Sequence, residues 1–150
     1  MKKTIILSAL LSAMTLTAQT KYSHYYENLP IELEQVKEVQ FPKSALNIAQ
    51  FGAKPDGETL CTEAIAAAID SLSKIGGGHV IIPRGTWKTG PIVLKSNIDL
   101  NLRKGAVLVF SENKELYVQK NDPRDGSKKC NALIRASKCE NIGITGQGVI

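Results

Sequence analysis

"NIDLNLRKGAVL", Asn97 to Leu108, and "NIGITGQGVI", Asn141 to Ile150, share one pattern: Asn, Ile, any residue, an aliphatic, then a Gly and a second aliphatic run. Their starts lie about 44 residues apart, within the range of repeat periods. Chance similarity in sequence rich in Gly and Ile is the competing explanation, because two copies are few. Self-similar strand units at this scale predict a solenoid, in which each rung leaves open faces for the next rung to cover.

The neighbouring segments fit that reading. "HVIIP", "GPIVL", "AVLVF", "ALIRA" and "GVI" are short strand patterns, with Gly85, Gly90, Gly105, Gly146 and Gly148 among the turn positions. A doubly wound α/β fold needs a helix after nearly every strand, and only one long helical pattern is present. It lies in "TEAIAAAIDSLSKIGGG". Ile65, Ala68, Ile69, Leu72 and Ile75 recur at three and four, Thr62 is the expected N-cap, Glu63 sits at the positive end of the dipole, and Gly76 stops the helix. Its apolar stripe must lie on something, and the chain beyond Gly76 supplies only strands. In a solenoid this helix caps the first rung, hiding core side chains and a strand edge from water.

Upstream, Pro55-Asp56-Gly57 is an explicit turn: Pro fixes φ, Asp can bond its own backbone and Gly allows positive φ. Residues 21–44, interrupted by Pro30 and Pro42, read as a linker or edge segment. Residues 1–20 place Lys2 and Lys3 before an apolar run from Ile5 to Leu16 and small residues around Ala18, the layout of a cleavable export signal. The run falls short of the roughly 18 apolar residues that a membrane-spanning helix needs. The expected domain layout is therefore a signal at 1–20, a linker or edge at 21–44, and cap plus first rungs at 45–150. The expected location is secreted or periplasmic.

With 150 residues, 43% of them hydrophobic and 22% charged, the chain has the composition of a globular domain rather than a disordered one. Only 5% is aromatic, so the core is expected to be aliphatic. The formal net charge of +5 loses two units with Lys2 and Lys3, and the other basic residues are scattered. The densest stretch, Lys120 to Lys129, is interleaved with Asp122 and Asp125, as a solvated surface would be.

Cys61, Cys130 and Cys139 are an odd number for an exported chain. Cys130 and Cys139 bracket a strand-like stretch, and nine extended residues span about 30 Å against the roughly 7 Å that a disulfide tolerates between Cα atoms. Buried free thiols are the expectation, with pairing possible only if the chain turns back.

Several motifs fail on inspection. "GGGHVIIPRG" lacks the Gly-Lys-Ser/Thr of a phosphate loop and runs from helix to strand, the reverse order. "GITGQG" does not match dinucleotide glycine spacing. His24 and His79 have no Ser, Cys or carboxylate at a spacing that suggests a triad or metal site, and each is expected at a surface or strand edge. Asp122 and Asp125 share a Pro-Arg-Asp-Gly loop too wet for a raised carboxyl pKa, and Trp87 is expected to pack rather than stack on a sugar.

The stretch "NIAQFGAKPDGETLCTEAIAAAIDSLSKIGGGHVIIPRGTWKTGPIVLKSNIDLNLRKGAVLVFS" resembles the amino-terminal part of the polygalacturonases, glycoside hydrolase family 28, and "ALIRASKCENIGITGQGVI" resembles the next rung of that family. The resemblance covers roughly Leu46 to Ile150. It implies a right-handed parallel β-helix that hydrolyses α-1,4-galacturonosyl bonds in pectin by a two-carboxylate, inverting mechanism without metal or cofactor. It implies a pectic polysaccharide partner, polygalacturonate or rhamnogalacturonan, with no nucleic acid, no stable membrane association and a monomer at full length. The family's acids sit in Asn-Thr-Asp, Asp-Asp and Gly-His-Gly segments, with Arg-Ile-Lys for the substrate carboxylate, and none of these strings occurs here. No catalytic, cofactor-binding or metal-binding residue is assigned. Gly77-Gly78-His79 has the wrong order and lies beside the helix.

The expectation is thus the amino-terminal part of a longer enzyme, inactive and aggregation-prone alone, with its acids beyond Ile150. A pectate-lyase-like eliminase and a non-catalytic β-helical glycan-binding or adhesin module are the alternatives.

Overall fold

The computed structural model describes residues 23–31, 33–34, 39–119 and 129–150. The expected signal at 1–20 and the loop carrying Asp122 and Asp125 lie outside them. The chain divides into two units, residues 1–38 and 39–150. In the first, Ser23–Tyr26 form a 3-10 turn that includes His24.

The second unit opens with β1 (Ala45–Asn47), whose last residue caps a 3-10 turn, Ile48–Phe51: the Asn47 side chain accepts from Ala49 N–H at 2.9 Å. β2 (Asp56–Leu60) leads into α1 (Thr62–Lys74). Next come β3 (Gly78–Ile82), β4 (Gly85–Thr89), β5 (Ile92–Val93), β6 (Ile98–Leu102) and β7 (Ala106–Phe110). A 3-10 turn at Lys114–Tyr117 precedes β8 (Val118–Gln119) and β9 (Lys129–Cys130), which pair antiparallel. β10 (Ile134–Arg135) and β11 (Gly143–Gly146) close the chain.

Three stacks of parallel strands wind through these elements, in the orders β1-β3-β6-β11, β2-β4-β7 and β5-β10. Val149 extends the second stack by a parallel bridge to Val107. Each strand lies on its counterpart from the preceding turn, the arrangement of a parallel β-helix. The register shows why the sequence repeats: Leu46, Val80, Leu100 and Ile144 form one inward ladder, and Asn47, Ile81, Asn101 and Thr145 the next, outward one. The inward β3 and β6 side chains Val80, Ile82, Ile98, Leu100 and Leu102 are buried, as strand alternation requires.

The stripe of α1 closes the first coil. Ala64, Ile65, Ala68, Ile69 and Leu72 are buried on it, and full burial of each larger side chain stabilises by about 1.5–3 kcal/mol. The N-cap is Cys61, not Thr62, and it makes no side-chain cap bond. Thr62 is instead the first helical residue, and its Oγ1 accepts from Gly90 N–H at 2.6 Å, tying the helix to the corner between β4 and β5. After Lys74, Gly76, Gly77 and Gly78 carry positive φ; a Cβ on Gly78 would strike the Ser44 carbonyl, so this corner requires glycine.

Two further expectations are corrected. "GTWKT", absent from the strand patterns read from the sequence, is a full strand that begins at the expected turn glycine Gly85: Trp87 and Thr89 point inward while Thr86 and Lys88 face out, and its polar outward residues disguise it. The three thiols are free, yet only Cys61 is buried; Cys130 is exposed on β9 and Cys139 is half-buried, its Sγ donating to Ser137 O at 3.2 Å.

Candidate functional site

Among the described residues, the densest polar cluster lies on the outward face of the β1-β3-β6-β11 stack. Register places Ala45, His79, Asp99 and Gly143 in one row. Asp99 is 1% exposed, the single charged residue in the described core. Its Oδ2 accepts from His79 Nδ1 at 2.7 Å, and both its oxygens accept from Thr145 Oγ1 at 2.9 and 2.8 Å. Thr145 accepts in turn from Asn101 Nδ2 at 2.7 Å, while Asn101 Oδ1 is buried with no donor. Phe41 closes the cluster: its ring meets His79 edge-on with centroids 5.8 Å apart, and a Cβ on Gly143 would lie 2.8 Å from it.

His79 faces outward with its side chain 32% exposed, in keeping with a surface residue. It sits on β3, a central strand flanked by β1 and β6, with a carboxylate partner. The 20-residue coil from β3 to β6 brings Asp99 beneath it, a distance no local motif spans. A signal was available in the alternation: "HVII" and "DLNL" carry the same inward pattern with that offset.

Chemically, the cluster fastens strands together. Inverting hydrolysis needs two carboxyl groups with room for a water between them, whereas this site holds one carboxylate and seals it from solvent. A second surface lies on the β5-β10 stack, where Ile92 and Ile134 point inward and Arg135 stands exposed beside Val93. Arg135 also borders an open hollow of about 450 Å³ at the end of the stack, otherwise lined by apolar side chains and Gly143.

Of the residues weighed from sequence, Trp87 is core, its Nε1 donating to Pro83 O at 2.7 Å, and it offers no face to a sugar. Asp56 keeps to its turn: the Thr59 hydroxyl, then the backbone N–H groups of Thr59 and Glu58, lower its carboxyl to about 2. No helix among the described residues is long and apolar enough to cross a membrane.

No protein-family model matches the chain. Over 116 residues it is 39% identical to the exo-poly-alpha-D-galacturonosidase of Dickeya chrysanthemi, an alignment that takes in 70% of this chain and 19% of that protein. It is 43% identical over 60 residues to alginate lyase 7 of Azotobacter vinelandii, 35% of this chain and 7% of the relative. The crystal structure of a hyperthermoactive exopolygalacturonase from Thermotoga maritima matches with a TM-score of 0.66 at 40% identity, covering 75% of this chain and 26% of that one. The chain thus spans about a fifth of the first relative's length and about a quarter of the solved structure's.

Proposed function

We propose, for a chain that belongs with the polygalacturonases of glycoside hydrolase family 28, that it forms the cap and first coils of an exported hydrolase cutting α-1,4-galacturonosyl bonds of pectin. The observation that carries this reading is the 40% identity joined to a TM-score of 0.66 across the coils. Likeness on both counts is a stronger warrant than fold alone, which hosts many chemistries. In the proposed mechanism one carboxylic acid protonates the leaving oxygen and a second carboxylate activates water, both carried on coils after Ile150. The contribution of residues 45–150 is mechanical: α1 seals one end, and the stacked registers give later coils a rigid template.

The test uses the product of the reading frame continued past Ile150, assayed on polygalacturonate. Release of reducing ends with inverted anomeric configuration by NMR is expected, and the 150-residue chain alone is expected to release none. A second reading, β-elimination, draws on the 43% identity with alginate lyase 7. An unsaturated product absorbing in the ultraviolet and lost with chelator would establish it and overturn hydrolysis. Glycan binding without turnover would overturn both in favour of a binding module.

A further inference from the structure

We propose that Arg84, Arg103 and Lys104, with Lys54 beside them, form a docking surface for the carboxylates of a uronate polysaccharide. The choice of occupant rests on the function proposed above, and the surface is one that the hydrolytic step does not use.

Basic residues that are scattered along the sequence meet at one corner of the coils. The turn from β3 to β4 is Pro83-Arg84, and the turn from β6 to β7 is Arg103-Lys104-Gly105. Register sets one turn on the other: Ile82 pairs with Leu102 and Gly85 with Ala106. Between them Arg103 N–H donates to Ile82 O at 2.9 Å and Gly85 N–H to Gly105 O at 3.1 Å. Arg84 lays its stem over Gly105, where a Cβ would lie 3.1 Å from its Cγ. One coil earlier Lys54 precedes Pro55, which sits against Gly85, where a Cβ would lie 2.5 Å from the proline Cβ. Neighbouring strands lie about 4.8 Å apart, so the backbones of these three turns fall within about 10 Å.

All four side chains are exposed. The turns themselves, residues 52–55, 83–84 and 103–105, contain no acid. Asp56, next along the chain, gives both carboxylate oxygens to Thr59 and Glu58 in its own turn. The ion pairs among the described residues are His79 with Asp99 and Lys95 with Asp70, and neither includes a member of the corner. Cations gathered without an anion repel one another, and a polyanion laid across them turns that repulsion into attraction. The charges run from coil to coil instead of converging on a point, which suits an extended polymer with a carboxylate on each unit over a single small anion. Two of the four are arginines, whose planar fork matches a carboxylate.

Isothermal titration calorimetry of the 150-residue chain with polygalacturonate tests this. Binding is expected at low salt and is expected to weaken toward about 0.15 M, where the Debye length falls to about 8 Å. The triple variant Arg84→Gln, Arg103→Gln, Lys104→Gln is expected to bind about tenfold more weakly or worse, the lower end of what a surface of one sign does to local counter-ion concentration. Lys74→Gln, Lys95→Gln, Lys138→Gln removes as many charges elsewhere and is expected to bind as the wild type does. Both variants change exposed side chains and are expected to keep the wild-type circular dichroism spectrum. Fully methyl-esterified pectin, which lacks the charge, is expected not to bind, and poly-L-glutamate to bind less tightly. Absence of binding at low salt, equal losses in the two variants, or equal affinity for the methyl ester or for polyglutamate would each overturn the proposal. Each of those results leaves hydrolysis by the continued reading frame to be decided by its own assay, so the two readings fail separately.

Discussion

The two ends of the coil stack are made from the same kind of side chain and meet opposite fates. At the first end, α1 lays Ile65, Ile69 and Leu72 over the coil and all three are buried. At the last, Ile144 occupies the same inward ladder as Val80 and Leu100, yet it is 48% exposed where they are fully buried. Ile134 is likewise less buried than Ile92, its partner in register. Leu133, Val149 and Ile150 are exposed on the same side. Side chains that share one ladder are thus buried where a further layer covers them, as in stacked repeats whose stability includes neighbour-interface terms.

That comparison is most exposed to test in the shared ladder. Leu100→Ala is expected to cost about 2–5 kcal/mol and Ile144→Ala less than about 1 kcal/mol, read from denaturant midpoints. Equal losses would mean that the last rung is buried in solution and would break the contrast.

The capped end can be sharpened next. Thr62→Val keeps the shape but leaves the buried Gly90 N–H without its acceptor, an expected loss of about 1–3 kcal/mol. A smaller effect is expected from Lys95 and Asp70, 2.8 Å apart, which tie α1 to the turn before β6 with both side chains about half exposed. Asp70→Asn is expected to change stability by no more than about 1 kcal/mol, a difference that vanishes near 1 M salt. A large, salt-independent loss would show that the pair anchors the cap.

The smallest expected effect lies in the turn before α1. The Asp56 carboxyl is lowered in the folded state from 3.8 to about 2, so its contribution is present above the ordinary carboxylate range and is lost as pH falls toward 2. A carbon-detected NMR titration should place its midpoint near 2, and Thr59→Val should raise it. A midpoint unmoved by that variant would refute the hydroxyl as the main cause.

Much of the architecture was legible because it rests on local periodicity. The stripe of α1, the alternation of β3 and β6, and the Asn97 and Asn141 repeat could all be read from spacing. The repeat is realised as two left-handed asparagines whose side chains bond at 3.0 Å. β4 was missed because its outward side chains are polar and its bounds are glycines. The polar cluster was missed for another reason: its members come from three strands, and chain separation says nothing of contact. The coil from β3 to β6 takes 20 residues from His79 to Asp99, the next 44 from Asn97 to Asn141, because the excursion through β8 and β9 lengthens it. One visible repeat therefore concealed a second, shorter one.

The amino-acid sequence by itself determined which residues are apolar, how they alternate and where the chain must turn, since these depend on side-chain chemistry and backbone sterics within a few neighbours. Only the tertiary structure decided that His79 lies over Asp99 and that Thr62 holds Gly90. Those outcomes depend on hydrogen-bond register between successive coils, which is fixed when strands from distant parts of the chain stack and not before.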